Sequence, residues 1–594
     1  MAMAALAFSA SAPLDAKTLT PEEALARINS GRRMPSKIQK SNLVLSKTIM
    51  TKESNEEALY IFDDSKGNGF VVLSADDNFP AVVGYSERGT SLTGNVNAGL
   101  EWLLGEYAAQ VEYARENNVS VVLTRGEGDD DKAPIEPLVK SKWDQNAPYY
   151  NNAPALKPTI SNHSAAGCVA VALAQVMNYY KYPAVGTGTG SATWDGGTIT
   201  EDLSTYPFDW NNILDTYEKG QYTEEQGKAV ADLVYACGLA VNSTYARTTL
   251  AKTITDVTAL CENFGYSKNL RYHYRDYVST QAEWEDIVYG SLSRQCPVIY
   301  AGGDESGGGH SFVCDGYQGD GYFHINWGWG GDSDGYYLLN LLNPSDQGTG
   351  GTAAGYNDRQ YVITDIRPAA EGETAEYQPA IFYYRGDFVF NNGKTFNGDG
   401  SSKGFYSRSP YEAEYFWGIH IVDSKGEGQF RMKEPKVYAY GKGVTGMTYS
   451  DLADDLEDGV YKIYPIFYAD NDEDFRYIYH ETGTNDYLIF TIENHVITNV
   501  EKGYNNEEGS NSGVDEIVED AMAIVLAADN NGFSVKNVTV PTYVNVYSIN
   551  GEKVLEAGCV THDVEVSMDN LASGIYIVAA TNRLGMNKLK LIKR

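Results

Sequence analysis

Basic residues are scarce in this sequence. Its 594 residues contain 46 Lys and Arg against 80 Asp and Glu, which gives a formal net charge of −34 at pH 7. A chain this acidic repels phosphate backbones and anionic lipid, so nucleic acid is excluded as the expected partner. A run of about eighteen apolar residues, enough to span a bilayer, occurs nowhere, so we expect no transmembrane segment. The length predicts three or four domains.

Cysteine is sparse as well. Six Cys are too few for a disulfide scaffold, and neither they nor the eight His follow a zinc-ligand spacing. We therefore expect no metal and no other cofactor, and each Cys is by default a buried free thiol. The common catalytic motifs G-x-S-x-G, H-E-x-x-H and the P-loop are also missing.

One cysteine departs from this default because it begins a predicted helix. Cys168 follows Gly167, and apolar residues recur after it at helical spacing to about Tyr180, before Pro183 ends the pattern. Unpaired N–H groups and the dipole at a helix N-terminus favour a thiolate. Gly167 allows a substrate backbone to approach closely. The pattern predicts a nucleophile; the alternative is a small core residue at a helix start.

A thiolate needs a base, and His310 is the candidate. It follows three consecutive glycines and precedes a predicted strand, and Asn326 lies on the next strand. Two hairpin strands would place the Asn326 amide beside the imidazole and fix its tautomer, and Trp327 would shield that hydrogen bond. For a histidine alone, a solvated loop position is the commoner alternative. His163 is closer to Cys168 in sequence but has no such partner.

Gln145, in the segment 143–149, is the candidate oxyanion donor. Its side-chain amide and the backbone N–H of Cys168 would form a two-donor hole for a tetrahedral intermediate. Together, these residue types predict acyl transfer by a cysteine nucleophile.

These motifs resemble those of streptopain-type cysteine proteases, peptidase family C10, and the interpain-like group in particular. The resemblance covers about residues 17–368 and is carried by 166–170, 308–313 and 324–331, with support from 69–74, 143–149 and 208–212.

The resemblance implies a papain-like catalytic domain that is made as an inactive zymogen. It implies that Cys168 is the nucleophile, His310 the base and acid, and Gln145 an oxyanion donor. Asn326 and Trp327 would orient the histidine. The expected partners are protein or peptide substrates and the chain's own pro-domain, which acts as an intramolecular inhibitor.

The predicted fold class is α+β, with an N-terminal α/β pro-domain and all-β modules after the catalytic domain. Within the pro-domain, Thr20 and Glu23 predict a capped helix start, and the apolar runs 59–62 and 70–73 around Gly67-Asn68-Gly69 predict a hairpin. The expected domains are a signal-peptide remnant over 1–16, the inhibitory pro-domain over 17–130, the papain-like cysteine protease domain over 131–370, an immunoglobulin-like β-sandwich accessory domain over 371–510, and a small β-sandwich C-terminal domain over 514–594.

The C-terminal residues resemble a type A sorting domain of the type IX secretion route, on 544–547, Asn550, Gly551, 571–576 and 588–590. The resemblance implies the type IX secretion machinery as a partner, and a secreted or cell-surface protein of a Gram-negative bacterium. A generic β accessory domain is the alternative.

We therefore predict a secreted cysteine endopeptidase zymogen. The exposed stretch 123–132 is the expected cleavage region, with Arg125 a candidate point, and the loop 246–249 is expected to border the substrate pocket. A surface adhesin on a protease-like scaffold is one alternative, supported by the Tyr-rich β half of the chain. An amidase or acyltransferase that uses the same dyad is another.

Overall fold

The fold is given by a computed structural model of the chain. The structure describes residues 18–28, 38–89, 98–117, 132–275, 278, 281–303, 309–340, 360–375, 382–386, 388–397, 404–426, 428–439, 441–454, 456–469, 475–480, 486–504, 523–526, 532–536, 542–548, 553–560, 564–568, 570–572, 574–582 and 585–593. The predicted signal remnant, all but the last residue of the predicted cleavage region, and the turn at Asn550 and Gly551 lie outside these residues.

The N-terminal segment combines two helices with four strands. Its elements are α1 (Pro21–Ala26), β1 (Leu43–Met50), β2 (Glu57–Asp64), β3 (Phe70–Ser74), β4 (Val82–Ser86) and α2 (Ala98–Asn117). The predicted cap of α1 is confirmed, since the Glu23 N–H donates to the Thr20 hydroxyl and the Thr20 N–H to the Glu23 carboxylate. The predicted β2–β3 hairpin is confirmed by antiparallel pairing.

The following segment contains both helices and strands. Its elements are β5 (Ala155–Lys157), β6 (Ile160–His163), α3 (Cys168–Tyr180), β7 (Thr189–Trp194), β8 (Gly197–Asp202), α4 (Glu224–Ala240), α5 (Thr255–Thr258), β9 (Arg271–Tyr274), α6 (Gln281–Ser293), β10 (Val298–Gly303), β11 (Gly309–Gly319), β12 (Tyr322–Asn326), β13 (Gly335–Leu338) and β14 (Tyr361–Thr364). The helices α3 and α4 pack into one apolar core, and the strands share a second core with the N-terminal segment.

One ten-stranded sheet joins the N-terminal segment to this mixed domain, in the order β1-β2-β3-β4-β13-β12-β11-β10-β14-β9. The junction is the antiparallel pairing of β4 with β13, with Gly84 opposite Tyr337. A Cβ on Gly84 would lie 2.3 Å from the Tyr337 ring, so only glycine allows the ring to sit here. The N-terminal segment therefore docks by strand addition, and the apolar core that it shares with the mixed domain adds to this contact.

Helix α2 is fixed by polar contacts at two points along its buried face. The Tyr107 hydroxyl donates to the Leu338 carbonyl of β13, which links α2 to the mixed domain. Nearer the C-terminus of α2, the buried Glu112 carboxylate accepts the backbone N–H groups of Lys52, Glu53 and Ser54 at 2.6 to 3.3 Å. Burial alone would raise the pKa of Glu112, but these hydrogen bonds outweigh it and hold the pKa below its usual value.

We expect Glu112→Gln to destabilise the packing of α2 at neutral pH by about 1.5 kcal/mol, because a neutral amide is a weaker acceptor for three N–H groups. Since the folded-state pKa is lowered, the carboxylate stabilises the fold above its unfolded pKa, and this contribution is lost as pH falls through the folded-state pKa. The measurement is hydrogen exchange in residues 98–117, corrected for intrinsic rates, in Cys168→Ala chains with and without Glu112→Gln. Exchange should be faster with Glu112→Gln at pH 7, and this difference should shrink near pH 3. The exposed Glu116→Gln is the control, and an equal effect of both variants would contradict the assignment.

The remaining described residues are all-β, as predicted, and contain no helix. The strands before residue 505 are β15 (Phe382–Arg385), β16 (Val389–Asn391), β17 (Thr395–Asn397), β18 (Gly404–Ser407), β19 (Ala413–Asp423), β20 (Gly428–Met432), β21 (Lys436–Tyr438), β22 (Gly443–Val444), β23 (Met447–Thr448), β24 (Gly459–Ala469), β25 (Arg476–Tyr477), β26 (Tyr479–His480), β27 (Asp486–Glu493) and β28 (Val496–Tyr504). They enclose one aromatic-rich core.

The C-terminal strands form two further sheets, in the orders β29-β30-β33 and β32-β31-β34-β35. They are β29 (Ala523–Leu526), β30 (Gly532–Lys536), β31 (Thr542–Ser548), β32 (Lys553–Val560), β33 (Val564–Ser567), β34 (Gly574–Asn582) and β35 (Gly585–Lys593). A small separate core that includes Phe533, Val546 and Val578 packs between them.

Candidate active site

Cys168 is the first residue of α3, as the sequence predicts. The preceding Gly167 has φ 94°, in the left-handed region that favours glycine. A Cβ at Gly167 would lie 2.9 Å from Thr249 Cγ2, so the close approach here is made by the protein's own loop 246–249. The Thr249 hydroxyl donates to the Ala165 carbonyl at 2.6 Å. The loop predicted to border the substrate pocket thus supports the turn that leads to the nucleophile.

The structure brings Cys168 and His310 together across the two cores. His310 lies on β11, is 6% exposed, and its imidazole interacts electrostatically with the Cys168 thiol. Burial alone would raise the pKa of Cys168, but the charge and hydrogen bond of His310 outweigh it, and the pKa lies below its usual value. Burial would lower the pKa of His310, yet the Cys168 thiolate holds it above its usual value. This pattern favours a thiolate–imidazolium pair.

The Trp327 backbone contacts the other side of the imidazole. The Trp327 carbonyl oxygen lies 3.1 Å from His310 Nε2. Because a carbonyl only accepts, Nε2 donates and therefore carries a proton, which leaves Nδ1 for the thiol. The Trp329 indole nitrogen lies 3.3 Å from the same Nε2, so it can serve as the donor in the other tautomer.

The Asn326 amide does not take the orienting position that the sequence predicts for it. No hydrogen bond joins it to His310 in the described residues; its partners are Gln175, Ser141 and Gly328. The strand register is the reason, since Asn326 pairs with Val313 of β11, three residues beyond His310. Side chains alternate along a strand, so Asn326 faces α3 while His310 points to the opposite face. The orienting acceptor is the Trp327 carbonyl.

Gln145 lies beside the turn that leads to the nucleophile. Its backbone carbonyl accepts the Ala166 N–H at 3.1 Å, and its side chain is half-buried. The segment 143–149 is therefore tied directly to the residues before Cys168. A role for the Gln145 amide in an oxyanion hole stays a prediction.

The N-terminal end of α2 covers the histidine side of this pair. A Cβ at Gly99 would lie 2.3 Å from His310 Cδ2 and 2.5 Å from Trp327 Cε3. One turn further along α2, the Trp102 ring packs directly against Gly302 of β10. The N-terminal segment thus reaches the candidate catalytic histidine, and at Gly99 only a residue without a side chain fits.

Three of these residues were missed by sequence reasoning: Gly99, Gln175 and Trp329. Gln175 carries a usable signal, because it is a polar residue in an apolar helix, two turns after Cys168 on the same face. The positions of Gly99 and Trp329 depend on tertiary packing.

Among the described residues, no group of His, Cys, Asp or Glu is arranged to hold a metal ion.

A thiol at a helix start that interacts with an imidazole on a strand is an arrangement suited to acyl transfer by a cysteine nucleophile. The model of the Peptidase C10 family matches residues 143–337, and that of the Spi protease inhibitor matches residues 6–111. Streptopain of Streptococcus pyogenes is 33% identical over 362 residues, 58% of this chain and 88% of that protein. The chain belongs to the Peptidase C10 family of cysteine peptidases.

Two other kinds of relative are similar to the chain. The thiol protease/hemagglutinin PrtT of Porphyromonas gingivalis is 32% identical over 382 residues, 59% of this chain and 42% of that protein. A solved fragment of prointerpain A from Prevotella intermedia is 31% identical. The match covers 54% of this chain and 97% of the fragment, with a TM-score of 0.47.

Within the described residues, no helix has the length and apolar character needed to cross a membrane.

Proposed function

We propose that this protein is a secreted cysteine endopeptidase that is made as a zymogen and hydrolyses peptide bonds of protein substrates. The interacting pair of Cys168 and His310 carries the proposal, because each group displaces the pKa of the other toward its charged form. A nucleophile and a base in direct contact, with the base held by a third group, are what covalent catalysis requires.

The chemistry follows from this geometry. The Cys168 thiolate attacks the scissile carbonyl carbon, and the oxyanion that forms accepts hydrogen bonds from the Cys168 N–H and the Gln145 amide. The His310 imidazolium then donates its Nδ1 proton to the leaving amine as the C–N bond breaks. Water attacks the thioester, His310 takes its proton, and the C–S bond breaks to release the acid and restore the thiolate. The Trp327 carbonyl holds Nε2 throughout.

Latency is supported by the position of α2. With Gly99 against His310 and Trp327, a substrate chain cannot lie over the histidine until α2 moves. The match of residues 6–111 to a protease inhibitor model supports the same role for the N-terminal segment. We propose that cleavage in the region 123–132 allows this segment to leave.

The localisation and the C-terminal role belong to the same proposal. The motifs within 544–590 support a sorting domain that is recognised by the type IX secretion machinery, and hence a secreted or cell-surface enzyme of a Gram-negative bacterium.

The test is an intact-mass time course of the purified full chain beside Cys168→Ala, followed by a casein hydrolysis assay. We expect the wild type to lose an N-terminal fragment of about 110 to 130 residues and then to hydrolyse casein, while Cys168→Ala does neither. Cys296→Ala removes a buried thiol outside the cleft and should behave as the wild type.

Two results would contradict the proposal. If trypsin-treated wild type leaves casein intact and a thiol-directed probe fails to label Cys168, the adhesin interpretation takes its place. If small amides turn over while casein does not, the enzyme is an amidase or acyltransferase.

A further inference from the structure

A buried glutamine connects the nucleophile helix to the strand that positions the histidine. Gln175 lies on α3, and its side chain and that of Asn326 on β12 are both fully buried. Gln175 Nε2 donates to Asn326 Oδ1 at 3.2 Å, and Asn326 Nδ2 donates to Gln175 Oε1 at 3.2 Å. The two amides therefore form a reciprocal pair across the interface between the helix and the sheet.

The same pair holds the segment that precedes the nucleophile. The Ser141 hydroxyl donates to Gln175 Oε1 at 3.0 Å, and Asn326 Nδ2 donates to the Ser141 carbonyl at 2.8 Å. The Trp143 N–H approaches Gln175 Oε1 at 3.5 Å. Since Gln145 follows two residues later, one amide pair fixes both β12 and the predicted oxyanion segment relative to α3.

A short chain of contacts leads from this pair to the imidazole. Asn326 Oδ1 also accepts the Gly328 N–H at 3.1 Å, which fixes the turn that contains Trp327. The peptide carbonyl of Trp327 in that turn accepts the His310 Nε2–H. A rotation of the Asn326 amide would therefore turn the carbonyl that orients His310.

We infer that Gln175 is a positioning residue: through Asn326 it sets the direction of the Trp327 carbonyl, and with it the alignment of His310 with Cys168. The inference rests on the proposed cysteine-peptidase function for its kinetic consequences. It assigns Asn326 a role one step removed from the imidazole, as half of an amide pair. Buried amides that satisfy one another are costly to break, since each loss leaves a desolvated donor and acceptor.

The central variant is Gln175→Leu, which keeps the approximate volume and removes both hydrogen-bonding groups. We expect kcat to fall by about 10- to 100-fold with little change in KM, because misalignment of a catalytic group affects the transition state more than substrate binding. We also expect the pH profile of Cys168 alkylation by iodoacetamide to shift to higher pH, because a displaced imidazolium stabilises the thiolate less.

Two other variants separate positioning from general stability. Gln175→Glu, when its carboxylate is ionised, can still accept from Ser141 and Asn326 but cannot donate to Asn326 Oδ1, so an intermediate shift is expected. Asn178→Leu removes another buried amide from α3, one that contacts Lys181 and not the cleft, and should leave the alkylation profile unchanged. Thermal unfolding of every variant reports the loss of stability independently.

The alkylation profile distinguishes failure of this inference from failure of the proposed function. If the wild type does not hydrolyse peptides at all, the proposed function fails, yet the profiles of Cys168 in wild type and variants still test the positioning role. The inference would be overturned if the alkylation rates of Gln175→Leu and Gln175→Glu stayed within twofold of the wild-type rate at every pH. If Gln175→Leu does not fold, the alkylation rates of Gln175→Glu are compared with those of Asn178→Leu and the wild type. The same twofold limit then decides the outcome.

Discussion

Replacing His310 with alanine should lower kcat/KM for peptide hydrolysis by about 10⁴-fold or more, because the nucleophile loses the group that both activates it and protonates the leaving amine. The variant should also stay uncleaved at its N-terminus. These effects follow from the interaction between His310 and Cys168, which lowers the pKa of the thiol and raises that of the imidazole.

The pKa shifts of Cys168 and His310 predict how the activity depends on pH. In the wild type the pKa of Cys168 is lowered and that of His310 is raised, and both shifts favour the thiolate–imidazolium pair over the neutral thiol and imidazole. Activity should fall on the acid side as the thiolate is protonated and on the alkaline side as the imidazolium loses its proton. Without His310, burial is the largest remaining influence, so the pKa of Cys168 should move above that of a free cysteine.

The measurement is the rate of Cys168 alkylation by iodoacetamide against pH, because this rate follows the thiolate fraction. His163→Ala is the matched control. That histidine lies five residues before Cys168 but is exposed, stacks on Tyr150, and contacts the Ala153 carbonyl. Alkylation profiles that coincide for the wild type and His310→Ala would show that the imidazole does not activate the thiol.

Local patterns in the sequence predicted the elements that carry the reacting groups. The start of α3 at Cys168 followed from an apolar repeat that begins after a glycine, and the β2–β3 hairpin from two apolar runs around a Gly-Asn-Gly turn. Both are set by neighbours in sequence, so no tertiary information was needed. The protease family was also recognisable from short motifs around Cys168, His310 and Asn326.

Contacts that depend on register or on packing could not be read in the same way. The prediction that Asn326 orients His310 assumed adjacency from proximity in the hairpin, whereas the register places the two side chains on opposite faces of the sheet. The orienting group is a backbone carbonyl, which every residue possesses and no motif marks. The contact between Gly99 and His310 likewise involves residues more than two hundred positions apart in sequence. A glycine in a helix does not indicate which distant residue packs against it.

Enlarging Gly99 should release the cleft without cutting the chain. A Cβ there would clash with both His310 and Trp327, and overpacking of this kind costs about 1–3 kcal/mol. The clash exists only while α2 is docked, so it shifts the equilibrium toward the open state. A peptidyl epoxide, which needs the open cleft, should therefore label Cys168 of the uncleaved Gly99→Leu chain about tenfold faster than the wild type.

The control variant comes from the same helix. A Cβ at Gly105 has nothing within 4 Å, and the residue is exposed, so Gly105→Leu adds the same side chain without a clash. Gly99→Ala introduces the clashing Cβ alone and should fall between the wild type and Gly99→Leu. Labelling is read as the mass increase of the full-length species, which separates opening of α2 from loss of the N-terminal segment. Equal labelling rates for Gly99→Leu, Gly105→Leu and the wild type would mean that α2 does not hold the cleft closed.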